Sequence, residues 1–149
     1  MLTLHTLEQK QASKHGHRGT WYELAPGPDD EKRGASDGVF LWIDEWECVG
    51  EQLIGERLPG YGRHEQFNCP AAVWPPLLDY LRDVSNRLRT ADEPAMFHAL
   101  LPELTSALRW ELSRGFPEKP RGLADDLDAF TEWVKSALKR WHSITFKGL

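Results

Sequence analysis

Cys69 follows His64 and Arg63 closely in an irregular stretch. A thiol near an imidazole and a cation is the setting in which cysteine becomes a nucleophile. No motif orients the pair, so a small enzyme using Cys69 and His64 is only an alternative reading. Cys48 has Glu45, Glu47 and Glu51 for neighbours, the wrong charge for a reactive thiolate. His15-Gly16-His17 offers two imidazoles, with His5, His64, Cys48 and Cys69 as conceivable additions. The paired spacing of a structural zinc site is missing, as is a His-Glu-x-x-His helix, so no metal is expected. Asp125, Asp126 and Asp128 lack a calcium-loop setting and are read as acids at a helix start, where the dipole favours them. Pro59-Gly60-Tyr61-Gly62 contains a Gly-x-Gly without the strand before it or the Lys-Ser/Thr after it that a phosphate cradle needs. No catalytic residue and no cofactor is assigned.

The chemistry the sequence does concentrate is negative charge beside tryptophan. From residue 29 to residue 56 there are nine acids against Lys32 and Arg33. The whole chain carries −5. That segment therefore outweighs the remainder, which is slightly basic. Such a field repels nucleic acid and anionic membranes and steers basic proteins toward it. The candidate partner-binding residues are Asp44, Glu45, Glu47 and Glu51 with Trp42 or Trp46, and Asp29, Asp30 and Glu31 in the loop before them. The plainer alternative is a solvated outer helix face. Seven tryptophans exceed what one core needs, and Trp110 and Trp133 fall off the apolar stripes of their helices. They suit either a second packing surface or an exposed anchor.

The elements that must position these residues follow from periodicity. At 149 residues the chain is expected to be a single domain. Residues 1–25 should form a strand pair with a loop, from LTLHTL at 2–7 and TWYEL at 20–24. Residues 26–36, rich in Pro and Gly, should be a mobile loop. Residues 37–142 should be a helical body and 143–149 a closing strand. Within the body, the apolar stripe from Val39 to Leu58 predicts a helix capped at Asp37 or Ser36 and stopped by Pro59-Gly60. A strand over Val39–Val49 is the minor option. Residues 63–73 read as irregular. A second helix runs from Pro75 and Pro76 to about Arg89. A third, entered at Asp92, should divide near Leu101 at Pro102. FPEKPRG at 116–122 reads as a linker, and the last helix carries Leu123, Leu127, Phe130, Val134 and Trp141 on one face. The resulting class is α+β and mostly helical, with about four helices on a small antiparallel sheet made from the N-terminal strands and the C-terminal strand.

Cys48 and Cys69 do not make a disulfide framework, the N-terminus lacks a signal-peptide pattern, and the longest apolar run, Val39 to Ile43, cannot span a bilayer. A cytoplasmic protein is expected. Leu58-Pro59-Gly60-Tyr61-Gly62, Trp74 opening a Leu-rich helix, the closing run Trp141 to Leu149, and Gly-Thr-Trp-Tyr-Glu at Gly19 to Glu23 together resemble a group of small bacterial immunity proteins encoded beside antibacterial toxins. The resemblance extends as a pattern over residues 37–149. It implies a protein that neutralises a cognate toxin by binding, with no chemistry of its own. An acidic mimic that blocks a nucleic-acid-binding protein is the further alternative.

Overall fold

The structure, a computed structural model, describes residues 1–12, 21–28, 38–62 and 65–147. It is an α+β fold, mostly helical, with one four-stranded antiparallel sheet. The strands are β1 (Trp21–Pro26), β2 (Val39–Trp42), β3 (Gln66–Pro70) and β4 (Ser143–Lys147), in the order β2-β1-β4-β3. The four longer helices are α1 (Leu7–Ala12), α2 (Trp74–Thr90), α3 (Ser106–Arg114) and α4 (Glu118–Trp141).

β4 is the hub of the sheet. Ile144 and Phe146 stand opposite Pro26 and Leu24 of β1 on one side and Cys69 and Phe67 of β3 on the other. Covered on both faces, its first four residues are all buried. α4 delivers the chain to it through His142, whose φ of 61° ends the helix in a left-handed turn. The core face of the sheet carries Tyr22, Leu24, Leu41, Phe67, Ile144 and Phe146. Against it lie α2 with Trp74, Leu77, Leu81, Val84 and Leu88, and α4 with Leu123, Leu127, Phe130 and Val134.

Several expectations are corrected. Residues 2–7 do not form a ladder with β1. His5 makes a single bridge to Phe40 of β2, exchanging hydrogen bonds of 2.9 and 2.8 Å, and α1 begins at Leu7. The stretch expected as one helix from residue 37 opens instead as β2. Val39, Phe40 and Leu41 are buried, so the run has two covered faces and no alternation to mark it. Only then does it turn helical: α over Ile43–Glu45, π over Trp46–Gly50, α over Glu51–Leu53, and a 3-10 turn over Gly55–Arg57. Residues 66–70, read as irregular, are β3. The supposed linker at 116–122 is mostly the first turn of α4, where Pro120 is tolerated because its missing N–H would have no intrahelical partner. Asp125, Asp126 and Asp128 therefore lie about two turns inside α4, beyond the reach of its terminal dipole. They bond laterally instead. Arg89 pairs with Asp125 at 2.6 Å and Asp128 at 2.7 Å, and the Leu2 N–H donates to Asp126 at 3.0 Å. The division of the third predicted helix is as expected: a turn over Phe97–Leu100, a break, then α3.

Candidate binding groove

The π-helical turn sets the position of the acids. Residues 43–53 wind around Trp46, which is wholly buried and stacked on Tyr22 at 4.6 Å with an interplanar angle of 9°. Its indole Nε1 donates to the Tyr61 hydroxyl at 2.9 Å, and that hydroxyl donates to Glu51 at 2.9 Å. Trp46 is thus the internal axis of the element and cannot serve as a surface anchor. Glu51 is half-buried and engaged by Tyr61 on that same side. Trp42 ends β2, paired in register with Trp21. With Val49 and Leu53 also buried, Asp44, Glu45, Glu47 and Cys48 are left on the outer side.

That outer side is one bank of a groove of about 680 Å³. Asp44, Glu45, Glu47 and Cys48 line it together with Val49 and Gln52. The opposite bank is the start of α3, with Thr105, Ala107, Leu108 and Glu111, and Met1 closes one side. The apolar floor is Ala107 and Met1 over the buried side chains of Val49 and Leu108, and the rest of the lining is mostly acidic. Among the described residues no Lys or Arg side chain lines it. The banks are tied together by the Thr105 N–H, which donates to Gln52 Oε1 at 3.1 Å. Thr105 also caps α3, its Oγ1 accepting from the Leu108 N–H at 3.3 Å.

The carboxylates are unequally held. Glu45 accepts from the Thr3 N–H at 3.0 Å and lies 3.7 Å from the Met1 amino group. Asp44 and Glu47 are exposed. Glu111 is bonded by Lys119 at 2.8 Å, which holds its carboxyl below the usual glutamate range. One helical turn from Ala107, and next to Glu111 in sequence, stands Trp110. It is 56 % exposed, the one large hydrophobic side chain so open among the described residues. The Arg114 guanidinium sits over its ring, 4.6 Å from the centroid. Trp133, the other off-stripe tryptophan, is half-buried against the core.

The structure therefore brings Asp44, Glu45 and Glu47 together in one groove and sends Trp46 and Glu51 elsewhere. Asp29, Asp30 and Glu31 lie outside the described residues, as do His15, His17 and His64. The α3 bank was missed in the sequence, although the off-stripe position of Trp110 marked that helix as having a second face. Cys69 is buried in β3, and burial pushes its thiol up to about 11, so it is protonated at neutral pH. Among the described residues no group of three His, Cys, Asp or Glu side chains is arranged to hold a metal ion, and no helix is long and apolar enough to cross a membrane. Comparison with protein-family models, with curated proteins and with solved structures finds no match for this chain.

Proposed function

We propose that this chain is a binding protein that neutralises a basic partner, and that it acts as a cytoplasmic immunity protein against a cognate bacterial toxin. The observation that carries this reading is the groove: carboxylates on two banks around an apolar floor, with no Lys or Arg side chain lining it among the described residues. A floor of that kind favours a protein partner over an acidic mimic of nucleic acid, which needs charges strung along an open surface at phosphate spacing. The groove's carboxylates would steer a basic surface toward it and weaken their hold as salt rises.

The test is capture of the partner from the native host on the tagged protein, with washes at low and then high salt. One stoichiometric basic partner, released by salt, is the expected result. The Asp44→Lys, Glu47→Lys double variant should lose at least tenfold in affinity for it while keeping the native far-UV spectrum, since both side chains are exposed. Glu45 is left intact because it holds the backbone of Thr3. Undiminished capture by the double variant would sink the site assignment.

A further inference from the structure

Resting on that reading, we propose that the groove's occupant is a segment of the partner that presents an arginine or lysine side chain flanked by apolar residues. The groove is far larger than a metal ion needs and falls in the range that takes a few side chains. A neutral apolar occupant would draw the exposed carboxylates of Asp44 and Glu47 out of water and bring no charge to offset that cost. An anionic one would be repelled. A long cationic side chain satisfies both parts of the site: its methylene stem covers Ala107 and Met1, and its head reaches the carboxylates of either bank. Glu45 is already oriented by the Thr3 N–H, so less ordering is left for the moment of binding. On the other bank Glu111 is held by Lys119, and an incoming cation would exchange with it. Trp110, outside the lining, stands one helical turn from Ala107 on α3. Its face already holds one guanidinium, that of Arg114, in a cation–π contact. Exposed tryptophan next to such a groove is the residue type that dominates binding energy at protein interfaces.

The groove contains its own reporter. Cys48 is exposed in its lining and Cys69, the other cysteine of the chain, is buried, so one thiol should react. In the unmodified protein at low salt, with each rate divided by that reagent's rate for a small free thiol, Cys48 should react about tenfold faster with a trimethylammonium methanethiosulfonate than with the sulfonate analogue, and the normalised ratio should collapse toward one in roughly 1 M salt. A capped peptide built on Leu-Arg-Leu-Leu-Arg-Leu should then protect Cys48 saturably, at least fivefold, from an uncharged methanethiosulfonate. The same peptide with Glu for Arg should not, and Glu47→Gln with Glu111→Gln should remove the protection. An Ala107→Cys variant, in a Cys48→Ser background, repeats the reading from the opposite bank. Equal protection by the Glu peptide, or none from the Arg peptide at millimolar concentration on either bank, overturns the assignment. Capture of a native partner that leaves Cys48 unprotected keeps the binding function and overturns the groove as its seat. Protection by the Arg peptide with no partner captured does the reverse.

Discussion

Gly50 and Gly55 look in the sequence like weaknesses in a helix, and at the residue scale they are the reverse. A methyl group at Gly50 would overlap the indole of Trp46, and one at Gly55 would lie 2.9 Å from Cζ of Tyr61. Both glycines exist so that an aromatic ring can lie flat on the backbone. Gly50→Ala should therefore destabilise the protein by about 1–3 kcal/mol, despite its better helix propensity, because the indole must leave its stack on Tyr22. A urea unfolding midpoint checks the loss; a gain in stability would contradict the packing. The acids at 44, 45 and 47 were legible as a site because charge can be counted along a chain. The role of Trp46 was not. Indole is both the largest core side chain and a common interface anchor, and what separates the two is whether Tyr22 and Tyr61, distant in sequence, close over it.

At the scale of elements, what was legible is what local periodicity decides. α2, α4 and β4 keep their apolar faces over enough residues to be read directly, and Pro102 marked the break before α3. β2 and β3 were not legible, for opposite reasons. β2 is apolar on both faces, so its pattern matches a buried helix segment equally well. β3 exposes Gln66, Asn68 and Pro70 and is a strand because β4 accepts it as an edge. The Asn68 side chain adds to that pairing by donating to Thr145 Oγ1 at 2.9 Å. The groove likewise belongs to two elements, and Thr105 links them. Thr105→Ala removes the cap of α3 and should cost about 1 kcal/mol of stability. It leaves the backbone bond to Gln52 in place, so partner affinity should fall by no more than a few fold. A loss of affinity as large as that of the Asp44→Lys, Glu47→Lys double variant would mean that the cap, rather than the charge, organises the site.

For the whole molecule, the buried face of the sheet makes stability depend on alkaline pH. Burial pushes the Cys69 thiol up to about 11 from an ordinary value of 9.0, and burial, aided by Tyr61 and Glu51, raises Tyr22 as well. Both groups are acids whose native values lie above their unfolded ones. Their contribution is complete below the unfolded value and is lost as pH rises toward the native one, because only the unfolded chain can ionise. For Cys69 the window is pH 9 to 11 and the loss is on the order of 3 kcal/mol. The urea midpoint should fall across that window, and Cys69→Ala should fall less steeply than the unmodified protein. Parallel curves would show that another group governs the loss. The central place of β4 has a consequence of a different kind. A ribosome makes β1 and β3 long before it makes β4, and until residue 147 has been joined those two strands have no common neighbour. Each nascent copy must wait with two unsatisfied edges, across more than a hundred residues from β1 and more than seventy from β3, for the strand that closes them. Anything that depends on this sheet would then begin only after residue 147 has been made, and a premature stop before β4 would leave β1 and β3 without the strand they share.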